Sequence, residues 1–152
     1  MRLIFYIGFM ASGKSTLGAA EAARKGIRFV DLDQELWTLS GMPSWKYITE
    51  KGEEAFRMAE RDNLHRIVER WHQEGKPPQI VACGGGTPCF FDNMEFMKTN
   101  GHVVFIDTPL SVILDRISRD PQRWPLAGND SIENLYQSRK KWYEEAHERI
   151  VP

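Results

Sequence analysis

Four short apolar runs punctuate the chain at Leu3–Ile7, Arg28–Asp31, Gln79–Cys83 and His102–Asp107, and the stretches between them are longer and helical in character. Short runs bounded by polar or glycine-containing segments read as buried strands, and helices of crossover length between them predict parallel β-α-β units. The expected class is therefore α/β.

The helical stretches have individual signatures. Ser15–Lys25 carries Ala19, Ala20, Ala22 and Ala23, which favour helix and permit close packing on a sheet. Gly52–His72 places Ala55, Met58, Ala59, Leu64, Ile67, Val68 and Trp71 mostly at three- and four-residue intervals, predicting one apolar stripe that ends at Gly75-Lys76-Pro77-Pro78. Two further helices are predicted over Leu110–Arg119 and Ser131–Glu148. Between them Asp120–Asp130, rich in Pro, Gly and Asp, reads as a mobile loop. No internal repeat or linker divides the sequence, so residues 1–152 are read as one domain.

Charge narrows the classes of partner. Lys and Arg total 20 against 21 for Asp and Glu, so no overall excess draws the molecule to nucleic acid or an anionic membrane. Any anion site must be local. The apolar N-terminus reaches Gly8 too soon for a signal-peptide core, and no segment approaches the roughly 20 apolar residues of a membrane span. A soluble cytoplasmic protein is expected. Cys83 and Cys89 lack CxxC spacing and a nearby His, which favours two reduced thiols over a zinc site or a disulfide.

Chemistry enters at Gly8-Phe9-Met10-Ala11-Ser12-Gly13-Lys14-Ser15, which satisfies G-x-x-x-x-G-K-[ST] between the first strand and the alanine-rich helix. There, backbone N–H groups and the helix N-terminus converge on phosphate oxygens. Gly8, Ala11, Ser12, Gly13, Lys14, Ser15 and Thr16 are the expected nucleotide-binding residues, with Lys14 reaching the β- and γ-phosphates and Ser15 a Mg²⁺ ligand. Motors, switches and kinases all use such a loop, so it marks a nucleotide and not a reaction.

Residues able to hold an acceptor lie further along. Asp31 and Asp33 end the second strand, where an open parallel sheet faces its ligand crevice. They would share one side of a continuing strand, or be divided by a turn between a metal-bound water and an acceptor hydroxyl; a solvated strand end is the plain alternative. Arg57 stands at helical spacing from Glu53 and Glu60, so an ion pair on the helix face also accounts for it. Gly84-Gly85-Gly86 directly follows the third strand and lets a ligand approach the backbone. Arg123, in the Asp120–Asp130 loop, either closes over developing phosphoryl charge or is simply solvated.

In this order the loop, Phe29-Val30-Asp31-Leu32-Asp33, Gly-Glu-Glu-Ala-Phe-Arg-Met-Ala-Glu, Gly84-Gly85-Gly86 and Val104-Phe105-Ile106-Asp107-Thr108-Pro109-Leu110 resemble the shikimate kinase family over nearly the whole chain. Gluconate, adenylate and cytidylate kinases share the phosphate loop but not the rest of the set. The resemblance implies a three-layer α/β/α P-loop kinase fold with a central parallel sheet, a lid over about residues 120–130 and an acceptor-binding region over about 33–60. It implies ATP and shikimate as ligands, Mg²⁺ as cofactor, and a monomer.

By the same resemblance Asp33 orients the acceptor hydroxyl as catalytic base, Lys14 and Arg123 act on the transferred phosphoryl group, and Asp31 serves the Mg²⁺ water shell beside Ser15. Arg57 and Arg139 grip the acceptor carboxylate, with Gly84, Gly85 and Gly86 lining the pocket. Planar arginine forks suit a carboxylate, and a carboxylate suits the hydroxyl to be phosphorylated. The departures are Ala11 for a third loop glycine, Cys83 for Ser or Thr, and Arg123-Trp124-Pro125-Leu126 for Arg-Pro-Leu, which makes Arg119 the other candidate lid arginine. The chain ends at Val151-Pro152, where the family continues into a last strand, an adenine-side loop and a terminal helix. A kinase for another polyol acid such as gluconate, and a regulatory nucleotide-binding module without transfer, are the rival readings.

Overall fold

The computed structural model of the protein describes residues 2–121 and 131–152. β1 (Leu3–Ile7) leads through α1 (Lys14–Lys25) to β2 (Arg28–Asp31), and then α2 (Leu32–Ser40), α3 (Ser44–Lys51) and α4 (Glu53–Gln73) lead to β3 (Gln79–Ala82). A 3₁₀ turn at Thr87–Cys89 and α5 (Asn93–Asn100) precede β4 (His102–Ile106), followed by α6 (Leu110–Arg119), α7 (Ile132–Tyr143) and β5 (Glu148–Ile150). All pairings are parallel, in the order β2-β3-β1-β4-β5.

Strand alternation separates two cores. Leu3, Phe5, Ile7, Val81, Val103 and Phe105 point to one face, under Leu64, Ile67, Val68 and Trp71 of α4, Met94 and Met97 of α5, Ile113 and Ile117 of α6, and Tyr136 and Tyr143 of α7. Tyr6, Ile80, Val104 and Ile106 point to the other, under Ala22 of α1. The result is three layers, α/β/α, with strands apolar on both faces as a buried parallel sheet requires. β1 and β3 are adjacent, yet the chain leaves them toward opposite edges of the sheet. Tyr6 and Asp31 both align with Ala82, so the C-terminal ends of β1, β2 and β3 are level. Such a reversal opens a crevice at those ends.

Close packing of α1 depends on Gly18 and Ala22, while Ala19, Ala20 and Ala23 face solvent. A Cβ at Gly18 would stand 2.9 Å from Phe29 Cε1 and 3.4 Å from Ile80 Cγ2. The helix stops at Gly26, whose left-handed conformation (φ 65°) lets its N–H reach the carbonyls of Ala22 and Ala23.

α4 departs from a single apolar stripe. Its C-terminal half buries Leu64, Ile67, Val68 and Trp71, but its N-terminal half buries Phe56, Arg57, Glu60 and Asn63 while Met58 is 44% exposed. The inward face turns polar where the helix reaches the crevice. The C-terminal region differs too: α7 ends at Tyr143, and a fifth strand occurs within the chain at Glu148–Ile150 instead of beyond Pro152. His147 ties it to β4, its N–H donating to Val103 O (2.9 Å) and its Nδ1 accepting from Val103 N–H (3.0 Å). Among the described residues no helix is long and apolar enough to cross a membrane.

Gly18→Val forces the α1–sheet interface apart and should cost about 1–3 kcal/mol of stability. The shift of the urea midpoint at unchanged m-value measures it.

Candidate active site

The phosphate loop occupies the bend between β1 and α1. Gly8 (φ 155°) is confined because a Cβ there would come within 2.7 Å of Ile106 O. Gly13 (φ 96°) forms the N-cap of α1 without a side-chain cap, so the first N–H groups of the helix stay open to an anion. Ala11 adopts a left-handed φ of 60°, a conformation that costs a non-glycine residue about 1 kcal/mol. Neighbours hold it there: Arg116 Nη1 donates to Ala11 O (2.9 Å), and Thr108 Oγ1 donates to Ser12 O (2.6 Å). Lys14 arches back to donate from Nζ to Gly8 O (2.8 Å) and Phe9 O (3.0 Å). Burial lowers its pKa to about 8, against the raising effect of Asp33. Ser12 Oγ is buried without a partner among the described residues, and Thr16 is exposed on α1.

Asp31 and Asp33 are divided by a helix start. Asp31 caps α2, its Oδ1 accepting from the N–H groups of Asp33 (3.0 Å) and Gln34 (3.2 Å), while its Oδ2 accepts from Ser15 Oγ (2.6 Å). The strand does not continue. Asp33 instead enters the first turn of α2 and is aimed toward the glycines that follow β3.

Each of those glycines makes room for a different group. A Cβ at Gly84 would stand 2.9 Å from Asp33 Oδ1, 3.0 Å from Glu60 Oε2 and 3.2 Å from Thr87 Oγ1. At Gly85 it would meet Met10 N at 3.2 Å and Arg139 Nη1 at 3.3 Å, and at Gly86 it would meet Arg57 Nη1 at 2.5 Å. Thus Asp33, Arg57, Arg139 and the phosphate loop converge on one short segment, which Tyr143 fixes by donating from Oη to Gly85 O (2.6 Å).

Arg57 is an ion-pair partner and a site residue at once. Nη1 donates to Glu60 Oε1 (3.1 Å) and Nη2 to Glu53 Oε1 (3.5 Å). Its guanidinium lies 4.2 Å from the Phe90 ring centroid and 5.2 Å from that of Phe56, which fixes its plane. Arg139 reaches the same place from α7, 5.9 Å from the Phe9 ring centroid.

Crowding by carboxylates tunes Asp33. Burial, then the charges of Glu60 and Asp31, raise its pKa to about 6 against the opposing pull of Lys14 and Arg57. Asp33 keeps solvent-exposed surface, and water tempers that push. Cys83 is buried and Cys89 partly buried, both unpaired; burial raises both thiols, Cys89 to about 11.

Arg123 and most of the predicted lid lie outside the described residues. Arg119 is exposed at the end of α6 and pairs with Asp115 at 3.1 Å. Arg116, Thr87 and Tyr143 carry no sequence motif; Thr108 and Glu60 lie within the segments that carry the family resemblance, and of these only the ion pairing of Glu60 was expected.

Asp33 binds its proton more tightly folded than unfolded, so its contribution to stability is fully present below the unfolded value of 3.8 and is lost as the pH rises through about 6. Above that window the fold carries the cost of the ionised group. Asp33→Asn should therefore raise Tm at about pH 7.5, with the gain shrinking toward about pH 4 in paired thermal melts.

Comparison with known proteins identifies the family and the fold. The family model described as shikimate kinase matches residues 10–152. A shikimate kinase of Persephonella marina is 41% identical over 151 residues, covering 99% of this chain and 88% of the relative. Among solved structures, shikimate kinase from Bacteroides thetaiotaomicron superposes with a TM-score of 0.86 at 31% identity, covering 98% of this chain and 85% of that one. Shikimate kinase from Acinetobacter baumannii in complex with shikimate gives a TM-score of 0.82 at 32% identity, covering 99% and 83%. With a matching model over most of its length, relatives of this identity and a shared P-loop kinase fold, the chain belongs to the shikimate kinase family.

Proposed function

We propose that the protein transfers the γ-phosphoryl group of ATP to the 3-hydroxyl of shikimate, giving shikimate 3-phosphate and ADP. The observation that carries this reading is the convergence of Asp33, Arg57 and Arg139 on Gly84–Gly86, directly beside the phosphate loop. A hydroxylated carboxylic acid fits that set, with two guanidinium forks for the carboxylate and one carboxylate for the hydroxyl.

Asp33 aligns the acceptor hydroxyl and takes its proton as the oxygen attacks phosphorus. Lys14 leaves the Gly8 and Phe9 carbonyls for the β- and γ-phosphates, where the anion favours its charged form. The loop N–H groups and Lys14 offset charge on the transferred group, and Arg123 is assigned to the same task from the lid. Ser15 and Asp31, already joined at 2.6 Å, are the residues that would hold Mg²⁺ and its water shell. When bound, Mg²⁺ neutralises phosphate charge. The working unit is read as a monomer, and two unpaired thiols suit the reducing cytoplasm.

Coupled ADP release should be strongly stimulated by shikimate and not by gluconate; ATP binding without shikimate-dependent turnover would identify a nucleotide-binding module instead. Asp33→Asn should retain ATP binding and lose about 10²–10⁴-fold in kcat. For the wild type, kcat/KM for shikimate should fall about tenfold per pH unit below about pH 6, as Asp33 takes up its proton. Gly86→Ala should raise the shikimate KM and leave that for ATP in place, because its methyl displaces Arg57.

A further inference from the structure

We infer that Thr87 is a positioning residue of the acceptor site, acting through Glu60 to set where the Arg57 guanidinium stands. The inference rests on the placement of Arg57 and Asp33 in that site. Thr87 is 0% exposed and opens the 3₁₀ turn that follows the glycines. Its backbone is fixed at both ends: its N–H donates to Gly84 O (3.1 Å), and its carbonyl accepts from Nδ2 of the buried Asn93 (2.9 Å). A β-branched side chain on a pinned backbone has little rotational freedom, so the hydroxyl is a fixed donor.

That donor meets Glu60. Thr87 Oγ1 donates to Glu60 Oε2 at 3.0 Å, while Glu60 Oε1 accepts from Arg57 Nη1 at 3.1 Å. The two carboxylate oxygens are therefore divided between two elements, one tied to the turn after β3 and the other to the arginine on α4 itself. The division matters because a carboxylate and a guanidinium on the same helix can otherwise close into a two-bond pair. Such closure would draw the arginine fork toward α4 and away from Gly86, where a ligand carboxylate would sit. By holding Oε2, the Thr87 hydroxyl leaves Arg57 with one bond to Glu60, so the Nη hydrogens not taken by Glu60 Oε1 and Glu53 Oε1 remain for the acceptor.

The placement of the hydroxyl is specific. Thr87 Oγ1, Glu60 Oε2 and Asp33 Oδ1 all border the position a Gly84 Cβ would take, at 3.2, 3.0 and 2.9 Å. A donor at that junction compensates one buried carboxylate without bonding the one assigned as base. No other hydrogen-bond donor to Glu60 Oε2 occurs among the described residues.

Thr87→Val keeps the branched shape and deletes the donor, Thr87→Ala deletes it with less bulk, and Thr87→Ser keeps it. In steady-state assays with shikimate and ATP varied separately, both donor-deleting variants should raise the shikimate KM about tenfold and leave the ATP KM unchanged, with Thr87→Ser close to wild type. In a Glu60→Ala background Thr87→Val should add no further loss, because the hydrogen-bond acceptor it orients is gone. Thermal melts run alongside separate folding from positioning. A wild-type shikimate KM in both donor-deleting variants overturns the inference. So does a loss shared by Thr87→Ser and by the ATP KM, which would make Thr87 a packing residue. Failure of the function itself shows in the wild type, as missing shikimate-dependent turnover, before any Thr87 variant is compared.

Discussion

A Cβ at Gly86 would lie 2.5 Å from Arg57 Nη1, one at Gly85 would crowd Met10 N and Arg139 Nη1, and one at Gly84 would press on Asp33, Glu60 and Thr87. Real Cβ atoms almost never come within 3.0 Å of a neighbour and seldom within 3.4 Å, so the bare backbone after β3 is what allows charged groups from α2, α4 and α7 to meet beside the phosphate loop. The sheet order supplies the other half of the constraint. Because β3 lies next to β1, the glycine segment and the phosphate loop are neighbours, and the loops leaving them diverge to open the crevice.

Bringing charge together in this way has an energetic consequence. Arg57, Glu60 and Lys14 are all buried, and buried charges destabilise a fold unless their bonds are satisfied. The pairs do so in a chain: Thr87 to Glu60, Glu60 to Arg57, Arg57 stacked on Phe90, and Lys14 on the carbonyls of its own loop. Satisfaction is incomplete, since Arg57 Nε and Ser12 Oγ have no partner among the described residues, and Lys14 and Asp33 are shifted toward their neutral forms. Residual cost at a site is what substrate binding can relieve, and both phosphate and carboxylate bring the charge this arrangement lacks.

Much of the molecule was legible before any coordinates. The short apolar runs located four of the five strands, because strands apolar on both faces stand out as continuous runs. β5 escaped because Glu148-Arg149-Ile150 is short, mostly polar and an edge strand, recognisable only by its bonds to β4. α2 and α3 escaped because they are short and bury little, Leu32 and Leu36 in α2 and nothing in α3, so no apolar stripe marks them. Met58 was misplaced for a related reason: the helix face that looks inward near the site is the one bearing Arg57 and Glu60, so hydrophobic periodicity there points the wrong way.

By itself the sequence determined the class, the nucleotide loop and a set of polar residues with compatible chemistry, since apolar runs and G-x-x-x-x-G-K-S are local properties of consecutive residues. Only the tertiary structure decided which of those residues share a site. Arg57, Arg139 and Asp33 belong to three helices, and their distance from one another depends on sheet order and on the missing side chains at Gly84–Gly86. The contacts of Thr87 and Arg116 were decided there as well, because a hydroxyl bonded 27 residues away, or a guanidinium bonded 105 residues away, leaves no trace in local pattern.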